Sequence, residues 1–180
     1  MALKATIFKA ELTVSDLDRG HFETHSLTIA RHPSETDERL MVRLLAFALN
    51  ADERLAFGRG LSSEGEADLV LTDLTGAIDL WIDVGLPDER EIRKASGRAG
   101  RVAVYIYGTG AHLWWRQNAA ALERLANVAV VEFPVEITRA MAARVARNMK
   151  FQCTIQDGHV WLADDKESIA IEPLSRKAAA

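Results

Sequence analysis

Strand-like and helix-like segments alternate through the second half of the sequence, and this alternation restricts the fold more than any other feature. Strand-like segments at residues 77–85, 102–107 and 128–133 are each followed by a helix-like segment, at residues 88–98, 110–126 and 135–148. Consecutive strands joined by helices usually pair in parallel through crossover connections. The sequence therefore predicts an α/β fold in which helices flank one compact mixed sheet.

The first fifty residues predict a β-hairpin followed by a helix. Residues 3–14 and 22–29 both alternate between apolar and polar side chains, and a turn-forming segment separates them. Ser34 precedes an acidic stretch, which is typical of a helix N-cap, so a helix is expected from there to about Asn50.

Turn chemistry predicts two further hairpins. One joins residues 67–72 to residues 77–85, and the other joins residues 151–156 to residues 159–162 through an Asp-Gly pair. Residues 168–171 are a candidate last strand. The C-terminal residues 177–180 are expected to fray.

The composition is that of a globular protein with a small negative charge. Of the 180 residues, 48% are hydrophobic and 27% are charged, and the formal net charge is −4. This balance gives no support to nucleic-acid binding, which usually goes with a basic surface. The apolar runs are far shorter than the roughly 20 residues of a membrane-spanning helix. We therefore expect no membrane association, and the sequence sets no oligomeric state.

Cysteine and histidine content argues against disulfide and zinc chemistry. The lone Cys153 cannot form an intramolecular disulfide, and it is predicted to be a small core residue. Four histidines show no metal-ligand spacing with this cysteine, so no zinc site is predicted; they are His21, His25, His32 and His159. The N-terminus also lacks the apolar stretch of a secretory signal, which indicates the cytoplasm.

One carboxylate of the first helix interrupts its apolar face. At about 100° per residue, Glu38 falls between Leu45 and Leu49 on the helical wheel, whereas Arg39 and Arg43 lie on the opposite face and are expected to be solvated. A buried carboxylate needs a cation, a donor or a metal. Glu38 is therefore either a site residue or a member of an ordinary salt bridge near the helix start.

The strand at residues 77–85 carries two acids on one face. Asp79 and Asp83 flank Trp81, while the other face is apolar throughout. An exposed edge strand would explain this, but a central strand would need compensation for the acids. Because residues four apart on a strand lie about 13 Å apart, the two acids cannot bind one small ion directly. Asp68 is expected nearly opposite Asp83, and Glu38 could complete either set.

Several long strings of residues resemble the YaeQ family. They are MALKATI at residues 1–7, RHPSET at residues 31–36, GAIDLWIDVGLPDER at residues 76–90 and TIQDG at residues 154–158. The resemblance spans the chain and implies a single YaeQ-like domain over residues 1–180. Its fold would be restriction-endonuclease-like, built on a variant of the PD-(D/E)XK core.

The resemblance also implies a site. In PD-(D/E)XK nucleases, a helix acid, two strand acids and a lysine surround Mg²⁺, and by residue type Glu38, Asp79 and Asp83 match the three acids. Gly85 stands where the motif requires lysine. Lys94 on the following helix is the candidate substitute, although the helical wheel turns it toward solvent.

Two hypotheses about function remain from the sequence, and it does not decide whether the protein is an enzyme. The first is Mg²⁺-dependent phosphodiester hydrolysis at a degenerate nuclease-type site formed by Glu38, Asp79, Asp83 and Lys94. The second is a non-catalytic regulatory protein that binds nucleic acid or protein on the same fold. Gly85 and the acidic composition favour the second hypothesis.

Overall fold

The computed structural model describes residues 4–59 and 65–180, which form eleven strands and four helices. The strands are β1 (Thr6–Asp16), β2 (His21–Arg31), β3 (Leu55–Phe57), β4 (Leu69–Thr72), β5 (Ile78–Val84), β6 (Ala99–Ile106), β7 (Val128–Glu132), β8 (Asn148–Gln156), β9 (His159–Ala163), β10 (Ser168–Ile171) and β11 (Leu174–Lys177). The helices are α1 (Asp37–Leu49), α2 (Glu89–Arg98), α3 (Ala111–Leu122) and α4 (Val135–Ala142). Residues 1–3, which include the predicted start of the first strand, and residues 60–64 lie outside the described residues.

The strands form two sheets, where the sequence predicted one. The first has the order β10-β9-β8-β1-β2, and the second has the order β11-β7-β6-β5-β4-β3. Strands β5, β6 and β7 pair in parallel through α2 and α3, as the alternation predicted. The separate sheet arises because β8 pairs with β1 rather than extending the parallel strands.

Helix α1 is buried on nearly every side because apolar residues of both sheets pack with it in one core. Its residues 39–48 are all buried. The prediction that Arg39 and Arg43 are solvated is therefore wrong, since a helix covered on opposite faces has little charged outer surface. The N-cap is Thr36 rather than Ser34, and its side chain accepts a hydrogen bond from the Arg39 amide.

Helices α2 and α3 cover the other face of the six-stranded sheet. Trp81, Ile92 and Val104 belong to this second core, which is separate from the core around α1. Asp88 caps α2 by accepting a hydrogen bond from the Arg90 amide, consistent with the predicted helix start near this residue. None of the helices described here has the length and apolar character needed to cross a membrane.

The prediction that residues 177–180 fray is wrong at both ends of that segment: Lys177 ends strand β11, and the Ala180 amide donates to the Ala126 carbonyl at 2.8 Å, although residues 178–180 lie outside the strand. Strand β11 pairs antiparallel with β7. Lys177 is buried, and its Nζ donates hydrogen bonds to the carbonyl oxygens of Leu125 and Val128 at 3.0 and 2.7 Å. A lysine is a poor signal for a buried strand residue, so the sequence pattern does not reveal this contact.

A β-bulge interrupts β5 at Asp79. Leu71 pairs with Leu80 and Thr72 pairs with Ile78, so Asp79 has no partner on β4. On the other side, a Cβ at Gly100 would lie 3.2 Å from the Asp79 carbonyl oxygen, so the two backbones approach closely. Because a bulge shifts the alternation by one residue, Ile78 joins the same core as Trp81.

Candidate functional site

A cavity of about 430 Å³ opens where β5 and β6 end. Asp83 is the second-last residue of β5, and Tyr107 directly follows β6. The carboxyl ends of adjacent parallel strands form a common binding edge in α/β sheets. Asp68 joins them because β4 pairs with β5 in a register that sets Leu69 opposite Ile82. The structure therefore brings Asp68 beside Asp83, one of the two pairings considered from the sequence.

Asp68 is held firmly by a cation and a backbone amide. Arg39 Nη2 donates to Asp68 Oδ1 at 2.5 Å, and the Val84 amide donates to Asp68 Oδ2 at 2.8 Å. Hydrogen bonds to an ionised group are stronger than those between neutral groups. Asp68 is thus fixed at the edge between α1 and the sheet.

Asp83 is a buried carboxyl group that ionises with difficulty. Its residue is 8% exposed, and Trp81 Nε1 donates to its Oδ1 at 3.0 Å. Burial first, and then the charge of Asp68, raise the pKa of Asp83 from 3.8 to about 7. Near neutral pH, Asp83 therefore exchanges between its protonated and charged forms.

Behind this pair lies a buried network of charges on and before α1. Glu35 is fully buried and accepts hydrogen bonds from Arg39 Nη1 at 3.0 Å and from Arg43 Nε at 2.8 Å. A second bond, from Arg43 Nη2 at 2.8 Å, makes the Arg43 contact bidentate. Arg39 thus bridges Glu35 to Asp68, which connects the start of α1 to the cavity.

The rim of the cavity is acidic. Glu66, Asp88 and Glu91 line it together with the aspartate pair. Tyr107 also lines it, and burial raises the pKa of this phenol to about 12, so it remains a neutral donor. Arg39 is the basic residue in the described lining. Such a cavity favours a cation and repels a free phosphate.

The other predicted site residues, Glu38, Asp79 and Lys94, do not belong to the described lining of this cavity. Glu38 is partly buried, and its Oε1 accepts a hydrogen bond from Thr138 Oγ1 of α4 at 2.6 Å. Asp79 is 47% exposed and lies 4.0 Å from Arg54 Nη1. Among the described residues, Glu38, Asp79 and Asp83 do not form a group whose ligand atoms lie within 4.8 Å of one another.

Neither Gly85, which occupies the position of the motif lysine, nor Lys94, its candidate substitute, places a base at this cavity. Lys94 Nζ donates to Glu91 Oε1 at 2.8 Å, and its side chain is 70% exposed, as the helical wheel predicted. Gly85 has a φ of 101°, and its amide donates to the Tyr105 carbonyl at 2.9 Å. The backbone at this position is therefore in a conformation that favours glycine.

Sequence reasoning missed several residues of the site. Glu35, Arg39 and Arg43 are spaced four residues apart, and opposite charges at that spacing are a recognisable signal for ion pairing near a helix start. Tyr107 gave no comparable signal. The sequence also failed to indicate that the side chains of His21, Glu23 and His25 come together.

The comparisons with known proteins agree on one family. A family model described as "YaeQ protein" matches residues 1–173. The "Uncharacterized protein YaeQ" of Escherichia coli K12 is 49% identical over 172 residues, which is 95% of each chain. The protein of that description from Salmonella typhi is 47% identical over 173 residues, or 96% of each chain.

Two solved structures are also very similar. The YaeQ protein from Xanthomonas axonopodis pv. citri superposes with a TM-score of 0.94 at 51% identity, covering 97% of this chain and 99% of that one. The YaeQ protein from Pseudomonas syringae gives a TM-score of 0.93 at 37% identity, covering 97% of both chains.

Proposed function

The chain belongs to the YaeQ family, and from this premise we propose that its acidic cavity is a degenerate PD-(D/E)XK site for Mg²⁺-dependent phosphodiester hydrolysis. In this proposal Asp68 takes the first strand acid position, in place of Asp79, and Asp83 takes the second. The observation that carries it is the adjacency of two buried aspartates at the carboxyl end of a parallel strand.

The donor set fits a hard divalent cation. Mg²⁺ in phosphoryl-transfer sites is usually bound by one or two carboxylates and retains several waters, and Asp68 and Asp83 supply such oxygens. A cation would also offset the burial and the Asp68 charge that together raise the pKa of Asp83. Bound there, Mg²⁺ would supply Lewis acidity toward a phosphoryl oxygen and neutralise negative charge.

The residues of the chain would each have a separate task. Trp81 orients Asp83 through the indole hydrogen bond, so that Asp83 together with Asp68 would hold the cation. Arg39 is held against Asp68 and lines the cavity, so it is the cation available to a phosphate oxygen. Tyr107 is a neutral donor at the same cavity.

A second candidate function is a non-catalytic one, in which the cavity binds a basic segment of a protein partner. Two observations favour it. Gly85 replaces the lysine of the nuclease motif, and Arg39 is already paired with two carboxylates. The acidic rim formed by Glu66, Asp88 and Glu91 would attract a cationic surface rather than a nucleic acid.

Calorimetric titration with Mg²⁺ and Mn²⁺ distinguishes these functions when combined with a nuclease assay on single- and double-stranded DNA and RNA. We expect saturable binding to the wild type that Asp83→Asn and Asp68→Asn abolish. Asp79→Asn is the matched control, because it makes the same change on the same strand at an exposed position. Metal binding that all three variants retain would overturn the metal site, and binding without cleavage would favour the second function.

A further inference from the structure

Two histidines and a glutamate converge at the edge of the five-stranded sheet, far along the chain from the acidic cavity. His21 Nε2 and His25 Nε2 lie 3.0 Å apart, and Glu23 Oε2 lies 3.7 and 3.9 Å from them. All three belong to β2, the edge strand of its sheet. We propose that His21, His25 and Glu23 form a binding site for a first-row transition-metal ion of the Zn²⁺ type.

The distances between the three donor atoms are close to those between the ligands of a tetrahedral metal site. Two ligands at the usual Zn–N distance of about 2.0–2.1 Å lie about 3.3 Å from each other in a tetrahedral site. The observed triangle has edges of 3.0, 3.7 and 3.9 Å, so shifts of a few tenths of an ångström would bring each donor into range. Two imidazoles with one carboxylate are a common set for such ions.

The orientation of the rings brings their two nitrogens face to face. With centroids 5.3 Å apart and Nε2 atoms 3.0 Å apart, each nitrogen points toward the other, and a rotation of both rings would direct them at one ion beside them. Residues four apart on a strand are separated by about 13 Å at Cα, so the two side chains must lean toward each other. A direct hydrogen bond between the neutral rings is the competing explanation, and it predicts that the wild type binds no Zn²⁺.

One ligand is held rigidly and the others are accessible. His25 is 8% exposed and makes an edge-on contact with Phe47 of α1, with centroids 5.1 Å apart. Glu23 is 44% exposed, and His21 is 22% exposed, so an ion can enter from solvent. A preformed anchor lowers the entropy lost on binding.

The surroundings favour positive charge. A cavity of about 400 Å³ beside the cluster is lined by His21, Glu23, Asp52, Glu53 and Arg54. Arg54 is paired with Asp52, through its amide at 2.8 Å and its Nε at 3.3 Å. Because Asp52 and Arg54 neutralise each other, Glu23 and Glu53 give the cavity a net negative charge. The site joins the edge of one sheet to the segment that leads into β3 of the other.

This site is independent of the proposed phosphodiester chemistry. It uses nitrogen donors, which suit Zn²⁺ and related ions, whereas the acidic cavity offers oxygen donors that suit Mg²⁺. The sequence pattern argued against zinc because the histidines have no metal-ligand spacing with Cys153. That cysteine is fully buried, so the set that matters is His-Glu-His along a single strand.

The test is a Zn²⁺ titration of the untagged full-length protein after treatment with a chelator, using a competing colorimetric chelator to set the free ion. We expect one Zn²⁺ per chain. His21→Ala and Glu23→Gln should each weaken binding by roughly 100-fold or more, since even outer-sphere partners of a metal are worth 10- to 100-fold. His159→Ala is the matched control, because His159 also faces a glutamate but lies on β9.

Co²⁺ gives a second readout that does not depend on affinity alone. Bound in place of Zn²⁺, it should show intense visible absorption bands that are absent from His21→Ala, while thermal unfolding in chelator remains unchanged for that variant. A wild type that binds no Zn²⁺, or equal losses in His21→Ala and His159→Ala, would overturn the proposal. Asp83→Asn should leave Zn²⁺ binding intact, which separates this site from the acidic cavity.

Discussion

The two ends of β5 hold one aspartate each, and the protein treats these residues in opposite ways. At the amino end, Asp79 lies in the bulge, is 47% exposed and has Arg54 4.0 Å away. At the carboxyl end, Asp83 is 8% exposed and titrates near neutral pH beside Asp68. Two aspartates on one strand thus differ in their properties because one lies in an exposed bulge and the other is buried beside a second carboxylate.

We expect the largest loss of stability from a substitution in the buried charge network behind Asp68 and Asp83. In Glu35→Gln, Arg39 and Arg43 lose their shared carboxylate inside the protein. Breaking one partner of a buried ion pair costs about 3–5 kcal/mol. We expect a decrease of that size in the free energy of unfolding, measured by urea denaturation. Glu11→Gln, in an exposed pair with Lys150, is the control and should have almost no effect.

Asp83→Asn should stabilise the protein at alkaline pH. The folded pKa of Asp83, about 7, lies above the reference value of 3.8, so its contribution to stability falls as pH rises from about 4 through 7. A tenfold difference in an acid dissociation constant between the folded and unfolded protein corresponds to about 1.4 kcal/mol of stability. The gain in Asp83→Asn is therefore limited to about 4 kcal/mol above pH 8.

The measurement is urea denaturation of wild type and Asp83→Asn at pH 5 and pH 8, in chelator. The difference between the two proteins should widen toward the higher pH. Asp79→Asn provides the comparison at the other end of the strand, and surface substitutions of this kind stay within about 0.5 kcal/mol. A pH-independent difference for Asp83→Asn would contradict the raised pKa.

Glu38 should have an intermediate effect, although it was predicted to belong to the site. Its carboxylate accepts a hydrogen bond from Thr138, which joins α1 to α4. A hydrogen bond to a charged group contributes about 1.5–3 kcal/mol when buried, so Glu38→Ala should lose about 1–2 kcal/mol at this partly buried position. Glu38→Gln retains an acceptor and should lose less. Chemical denaturation of both variants checks the order, and neither should alter Mg²⁺ binding.

Arg54→Ala should have the smallest effect. Its side chain is 47% exposed and pairs with Asp52 and Asp79 at the surface. Exposed ion pairs contribute little to stability because water and salt screen the charges, so we expect no measurable change in thermal or urea unfolding. A clear loss would mean that the amino end of β5 depends on this arginine, and the contrast between the two ends would weaken.

Local patterns predicted the secondary structure well. The opening hairpin, the parallel strands with their crossover helices, and the start of α2 near Asp88 all follow from alternation, turn residues and helix-start signals. They depend on neighbouring residues, which the sequence displays directly. Strand β11 did not follow, since its pairing with β7 and the burial of Lys177 arise from distant parts of the chain.

The site was less predictable because long-range geometry determines it. The pairing of Asp68 with Asp83 could be anticipated from hairpin closure. The bulge at Asp79 could not, since the close approach of Gly100 comes from a neighbouring strand. The burial of Arg39 and Arg43 could not either, because a helical wheel assumes one solvated face, whereas both sheets contribute to the core around α1.

The positive φ of 101° at Gly85 restricts whether this position could accommodate the lysine that the nuclease motif requires. Within residues 4–59 and 65–180, no atom outside Gly85 and its two chain neighbours lies within 4 Å of a Cβ placed there, so these residues leave room for a side chain. A residue with a side chain would instead incur about 1–3 kcal/mol for an unfavourable backbone geometry. A Gly85→Lys change would thus restore the lysine of the motif but would strain the backbone at the end of β5. In the proposed hydrolysis, positive charge would therefore have to come from elsewhere in the chain, and Arg39 of α1 already lines the cavity.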